Sequence, residues 1–339
     1  MRCIELFAGG GGAALGLKRA GFGPSTLVEW NKHACATLRA AGYKSVVEGD
    51  VRNLDAIERL SGSSCDLLWS SFPCQAWSVA GTRLGADDER NGWPWTVAAI
   101  DRFKPDWFLA ENVVGLIQHS RHFHPHPLKC PRCYFDHQIL GQLMTRFDHV
   151  GFWKINTADY GLPQRRNRVI IWAGPKPLRK PSPTHKRSAN VLQKRGFGRL
   201  PVWRTMADAL GIPPSECKTT GSYRTDRKPR TVVGPSPPIT CALARDPQSW
   251  RQSGTPFVGG AEHRRLTVEE AAKLQGFPDG YPFQGGHVAK YRQIGNAVPP
   301  VLSELAARAI IEAQSPVCPN PPPPRLVSSS SPSTSKSTA

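Results

Sequence analysis

The sequence predicts an α/β fold: a doubly wound, mostly parallel seven-stranded sheet carrying a smaller basic lobe. Three features lead there. Short apolar runs alternate with amphipathic stretches through the first 175 residues, the rhythm of strand–helix–strand units. The runs break at glycine turns or polar residues, as strands do where they leave a sheet. Past Pro175 the periodicity fades into a segment rich in Pro, Gly, Arg and Lys.

The strands follow in order. "CIELFA" (Cys3–Ala8), "STLVEW" (Ser25–Trp30), "KSVVEGD" (Lys44–Asp50), "DLLWSSF" (Asp66–Phe72) and "DWFLAEN" (Asp106–Asn112) are each separated by enough chain for a helical crossover. "FWKINTADY" (Phe152–Tyr160) and "RVIIWAG" (Arg168–Gly174) are joined by only seven residues. That is too short for a crossover, so these two form an antiparallel pair. Residues 1–174 make the main domain and 175–286 a loop-rich basic lobe. Within the lobe, "RRLTVEEAAKLQGFP" (264–278) restores a helix, with Thr267 and Glu270 spaced as a capping box and Gly276 near its end. Residues 287–314 return to the main domain through "VPPVLSELAARAIIEAQ", a helix with proline in its first turn. The tail, 315–339, is low-complexity and reads as disordered.

Lys and Arg number 44 against 26 Asp and Glu, a net charge of +18 and a pI near 9.9. That excess suits a polyanionic partner, because each phosphate neutralised releases counterions. No run has the length and apolarity of a membrane span, and "MRCIELFAGG" lacks the pattern of a signal peptide. An intracellular protein without a membrane partner is expected. Nine cysteines at irregular spacing agree with free thiols in a reducing compartment.

Ligands of a doubly wound sheet bind beyond the carboxyl ends of its strands. The ends read here as "FAGGGG" (Phe7–Gly12), Glu29–Trp30, Asp50, Pro73–Cys74–Gln75, Glu111–Asn112–Val113 and "LPQRRNR" (Leu162–Arg168). One rim thus collects a glycine turn, carboxylates, a thiol and an arginine pair. Each has a plainer reading alone. The turn fits G-x-G-x-x-A (Gly9, Gly11, Ala14), with Glu29 at the distance for a ribose hydroxyl, but a tight structural turn looks similar. Asp50 is either a helix cap or an acceptor for an adenine amine. Glu111 is either a buried carboxylate satisfied by backbone or an acid able to donate a proton. Arg166 and Arg168 by default form a solvated basic run. Cys74 is harder to dismiss: a thiol placed where an apolar strand opens to solvent is neither core nor cross-link.

"ELFAGGGG", "SSFPCQAWSVAG", "ENVVGL", "YGLPQRRNRV", "RRLTVEEAAKLQGFP" and "YRQIGNAVPP" resemble, in order and from Glu5 to Pro300, the motifs of the DNA cytosine-5 methyltransferases, with the class I S-adenosylmethionine-dependent fold that family implies. The resemblance implies transfer of a methyl group from S-adenosylmethionine to carbon-5 of a cytosine flipped out of double-stranded DNA. It gives Cys74 as the thiolate that adds at carbon-6, Glu111 as the grip on ring nitrogen-3 and the amine, and Arg168 with Arg166 on the carbonyl oxygen. For the methyl donor it gives Phe7, Gly9, Gly11, Glu29, Trp30, Asp50, Val51, Pro73, Trp93, Asn296 and Val298. Trp93 stands where the family often has an aliphatic residue, and Trp77 where phenylalanine is common. The basic lobe is expected to read the sequence, with Thr231–Val232 resembling a recognition-region dipeptide. The resemblance also implies a monomer; it leaves open a restriction–modification role with a cognate endonuclease as partner, a phage role and an epigenetic one.

"HSRHFHPHPLKCPRCYFDH" (119–137) lies outside the family pattern. Cys130 and Cys133 with His137, and His124 among the upstream histidines His122, His124 and His126, have ligand types and spacing suited to a structural zinc. A polar loop with free thiols is the alternative. Two rivals to the main reading are methylation of RNA, weakened by the lack of a "CFT" motif, and a catalytically dead DNA-binding homologue, weakened by the intact Cys74, Glu111 and Arg168.

Overall fold

The computed structural model describes residues 1–73, 88, 90–120, 126, 129–187, 200–219, 229–244, 256–259 and 263–315, with backbone only at 24 and 25. Seven strands build the main sheet: β1 (Arg2–Leu6), β2 (Gly23–Glu29), β3 (Val46–Glu48), β4 (Leu67–Ser70), β5 (Trp107–Val113), β6 (His149–Asn156) and β7 (Asn167–Gly174). Their order is β3-β2-β1-β4-β5-β7-β6. The first five pair in parallel, while β7 runs antiparallel to both β5 and β6. The short β6–β7 connection therefore reverses the chain as expected. β6 starts earlier and stops earlier than the apolar run suggests. Asn156 accepts a hydrogen bond from the Ala158 amide and turns Thr157–Tyr160 into a 3-10 turn.

Alternation along the strands assigns each sheet face its own core. Ile4, Leu6, Leu68, Phe108, Ala110, Val169 and Ile171 point to one side, and Cys3, Leu67, Trp69, Trp107, Leu109, Ile170 and Trp172 to the other. Strands buried on both faces read as continuous apolar runs, which is why these were so legible. The helices that cover them are α1 (Gly12–Arg19), α2 (Lys32–Ala40), α3 (Leu54–Ser61), α4 (Trp93–Phe103) and a run over 131–144. That run comprises α5 (Pro131–Tyr134), a π-helical turn (Phe135–Leu140) and α6 (Gly141–Met144).

The lobe adds α7 (Met206–Leu210), then β8 (Cys217–Thr219), β9 (Arg230–Thr231), β10 (Pro256–Val258) and β11 (Arg264–Arg265). These form an antiparallel sheet of order β11-β10-β8-β9. α8 (Val268–Gln275) has the expected capping box of Thr267 and Glu270 and a left-handed Gly276. α9 (His287–Asn296) and α10 (Pro300–Gln314) complete the chain that is described. Tyr291, Ile294 and Ala297 pack into the lobe's core, with Met206, Val258 and Leu274. Val298, Leu302, Ala306 and Ile310 pack under the main sheet, so the chain re-enters that core at Val298 rather than at 287. There α10 crosses α1 so closely that a Cβ on Gly16 would lie 2.0 Å from the Pro300 carbonyl oxygen and 2.1 Å from Ser303 Oγ. Among the described residues no helix is long and apolar enough to cross a membrane.

Candidate active site

β5 and β7 place the central pair. In their antiparallel register Glu111 faces Ile170 and Val113 faces Arg168. Glu111 and Arg168 are thus diagonal neighbours on one sheet face, within reach of a long side chain. Arg168 Nε lies 2.7 Å from Glu111 Oε1, and both side chains are nearly buried. Glu111 Oε1 nonetheless has no aligned hydrogen-bond donor among the described residues; the contact is an ion pair off the N–H axis rather than a linear bond. A buried carboxylate held by a cation, with acceptor capacity to spare, is suited to gripping a donor edge of a ligand.

The adjoining strand end is tied to this pair. Asn112 donates its amide to the Phe72 carbonyl at 3.1 Å, fixing the residue before Pro73. Cys74, the next in sequence, lies outside the described residues. The sequence signal for Asn112 is its place at the end of β5. Gly92, which opens α4, sits so close to Pro73, Phe7 and Phe72 that a Cβ there would approach each to 3.0 Å or less. Trp93 corrects the sequence reading. Its side chain is fully buried, edge-on to Phe72 at 5.5 Å and Phe108 at 6.1 Å, with Nε1 donating to Gln138 O and Gln142 Oε1. It is core, with no surface for a cofactor.

Phe7, Gly9, Gly11, Glu29, Trp30, Asp50 and Val51 lie at the ends of β1, β2 and β3. Phe7 and Gly9 both adopt positive φ, 59° and 55°, and a Cβ on Gly9 would meet nothing within 4 Å. The turn thus offers open backbone at Gly9, whereas Gly11 is packed against Tyr281 and Leu38. Glu29 accepts from the Gly9 amide on Oε2 and the Asn31 amide on Oε1, each at 2.8 Å. A carboxylate has lone pairs beyond these two, as a ribose diol requires. Burial raises the Glu29 pKa, and the amides of Asn31, Gly9 and Trp30 partly oppose that rise. Trp30 is 75% exposed, free to offer its face to a ring. Asp50 is bound to Arg52 at 2.5 Å, which holds its carboxyl below the usual range. Val51 is buried beside it, Asn296 is exposed at the end of α9, and Val298 is buried under Gly12. An open glycine turn, a pinned carboxylate and an exposed indole fit a nucleoside-bearing cofactor such as S-adenosylmethionine. Glu5, in the same β1 end, carries no signal of a role in the sequence, yet both its oxygens are buried without a hydrogen-bond partner among the described residues. Burial, with the Glu29 charge nearby, pushes its pKa well up.

Arg166 is also corrected. Its guanidinium does not join Arg168 at Glu111 but is buried, donating from Nη1 to the Ile239 carbonyl at 2.6 Å and from Nη2 to the Gly295 and Ala297 carbonyls at 3.2 and 3.3 Å. These oxygens belong to the lobe and to the "GNAV" turn. Gln164 works alongside, donating to Leu274 O and Gln275 Oε1 and accepting from the Ile239 amide.

The expected metal set is altered too. His119, Cys130 and Cys133 bring their ligand atoms within 4.8 Å of one another. His137 is exposed and outside this group, and His124 lies outside the described residues. His119 opens the segment 119–137, where spacing alone favours the histidines nearer Cys130 and Cys133. Burial raises the pKa of Cys130, yet the Cys133 and Ser120 amides, the His119 ring and the Cys133 side chain together bring it down to about 6.

A family model described as C-5 cytosine-specific DNA methylase matches residues 1–233 and 217–312. The type II methyltransferase M.NgoMIV of Neisseria gonorrhoeae is 32% identical over 330 residues, covering 91% of this chain and 97% of that protein. M.NaeI of Lentzea aerocolonigenes is 30% identical over 329 residues, covering 91% of this chain and 74% of that protein. Among solved structures, the S. pombe Dnmt2 methyltransferase superposes with a TM-score of 0.63 at 17% identity, covering 93% of this chain and 100% of that one. The chain belongs to the C-5 cytosine-specific DNA methylase family.

Proposed function

We propose that this protein methylates carbon-5 of cytosine in double-stranded DNA, with Cys74 as nucleophile and the Glu111–Arg168 pair as the base-holding element. The observation that carries the reading is that pair: a buried ion pair at 2.7 Å with an under-used carboxylate oxygen, one strand away from Pro73. When bound, S-adenosylmethionine supplies an electrophilic methyl group on a sulfonium; Phe7, Gly9, Glu29 and Trp30 would hold it.

The chain's own task is to make carbon-5 of cytosine nucleophilic. The Cys74 thiolate forms a bond to carbon-6, and the electrons of the 5,6 double bond shift toward carbon-5. Glu111, accepting from the exocyclic amine and meeting ring nitrogen-3, favours the protonated ring as that density moves. Arg168 holds the carbonyl oxygen and offsets developing negative charge. Once carbon-5 has taken its substituent, loss of its proton restores the double bond and expels the thiolate. A base in a duplex cannot reach such a pocket, so it must flip out, at a cost of a few kcal/mol.

Residues 175–264 carry 17 Lys or Arg against 5 Asp or Glu, which supports a lobe that meets phosphate. In β9, Thr231 is exposed and accepts from Lys218 Nζ, while Val232 anchors the strand in the lobe's core. Likeness to type II methyltransferases supports pairing with an endonuclease of the same sequence specificity. The test is bisulfite sequencing of DNA from cells expressing the protein. Protection of cytosine at one recurring sequence is expected; unmodified DNA alongside modified cellular RNA would overturn the assignment of substrate.

A further inference from the structure

We infer that His119, Cys130 and Cys133 are ligands of a structural zinc ion that staples the end of the β5 segment to the helix at 131–144. Tetrahedral zinc with bonds of about 2.3 Å to sulfur and about 2.0 Å to nitrogen sets its ligands about 3.5–3.8 Å apart. Cys130 Sγ lies 3.7 Å from His119 Nδ1, and the ligand atoms of all three residues fall within 4.8 Å of one another.

The surroundings are those of a metal-bound thiolate rather than of a core thiol. Cys130 is fully buried and takes a hydrogen bond from the Ser120 amide at 3.5 Å. Amide donors of this kind fix a ligating sulfur and temper its charge. Backbone pairing closes the loop independently: the Arg132 amide donates to the Gln118 carbonyl at 3.3 Å and the Cys130 amide to the His126 carbonyl at 2.9 Å. Two thiolates and an imidazole favour zinc over the hard cations, which prefer oxygen.

The staple bears on the active site through one short path. His119 follows Glu111 by eight residues, across the 3-10 turn Val114–Ile117. Cys133 precedes Tyr134, whose hydroxyl accepts from Asn91 Nδ2 at 2.9 Å. Asn91 in turn precedes Gly92 and Trp93, which pack on Pro73 and Phe72. The ion thus braces both the carboxylate strand and the far stem of the segment that begins at Cys74. The metal site stands independently of the methyltransferase reading; only this bracing role rests on it.

The experiment is metal analysis of the full-length protein purified without chelator, with Cys133→Ser, His119→Ala and His137→Ala variants. One zinc per chain is expected in the wild type and in His137→Ala, with loss in the other two. Replacement by cobalt(II) should give the thiolate charge-transfer and intense d–d bands of a tetrahedral site. Should the Cys133 variant fail to fold, release of zinc from wild type by a mercurial, read with a colorimetric indicator, takes its place. Folded wild type without zinc that binds none when supplied, or an oxidised Cys130–Cys133 pair in its place, would overturn the inference. So would zinc retained in both Cys133→Ser and His119→Ala. None of these readouts depends on methyl transfer.

Discussion

Replacing Arg166 and Arg168 one at a time should separate two residues that the motif presents as a pair. In Arg166→Met the Ile239 and Gly295 carbonyls lose the guanidinium that reaches them, whereas Ala297 O keeps the Gln275 amide at 2.7 Å. Each buried acceptor stripped of a charged donor costs about 1–3 kcal/mol. Relief from burying a cation offsets part of that sum, leaving a net loss of about 2–4 kcal/mol. At roughly 2–4 °C per kcal/mol for a chain of this class, the unfolding midpoint should fall by about 5–15 °C. Arg168→Met removes a cation facing Glu111 and, on the proposed mechanism, the group that offsets developing charge. Leaving Glu111 nearly buried without its cation should cost a few kcal/mol of stability, while on the protein that folds the single-turnover methylation rate drops by about 100- to 1,000-fold. Differential scanning calorimetry and single-turnover methyl transfer on the same preparations measure both quantities. An Arg166→Met protein with wild-type stability and the rate defect of Arg168→Met would refute the division of labour.

Cys74→Ser should lose both turnover and the stable adduct that wild type forms on DNA carrying 5-fluorocytosine, checked by denaturing electrophoresis; an adduct retained in the variant would remove the nucleophile. Glu111→Gln should reduce the single-turnover rate by about 100-fold with little change in DNA affinity measured by fluorescence anisotropy. Glu29→Gln replaces one of two acceptors of backbone amides by a donor, so calorimetric titration should find S-adenosylmethionine bound about 10- to 100-fold more weakly. Glu5 gives a pH test. Burial, then the nearby Glu29 charge, raises its folded pKa well above 4.5, so the folded state holds a proton that the unfolded chain releases. Its contribution is complete below the unfolded pKa and is lost as pH rises toward the folded value. Ligand-free wild type should therefore lose stability with rising pH over that window, and Glu5→Gln should lose less; identical slopes in denaturant titrations would contradict this.

The strands, the reversal at β6–β7, the capped helix at Thr267 and the rim of glycine, acid and arginine were legible because they rest on local signals. Apolar runs, caps and short connections involve residues close along the chain, and sheet topology then lines up the strand ends. Even the diagonal of Glu111 and Arg168 follows once β5 and β7 are known to pair. What the sequence could not reveal was the fate of individual side chains. Arg166 finds its acceptors at 239, 295 and 297, more than seventy residues away, and nothing near "QRRNR" marks which arginine turns inward. Trp93 reads as a rim residue until α4 lays it between Phe72 and Phe108. His119 joins Cys130 and Cys133 only because the chain folds back across the 3-10 turn. Chemical identity and periodicity are properties of a segment, whereas burial and partnership are decided by what other segments bring to it.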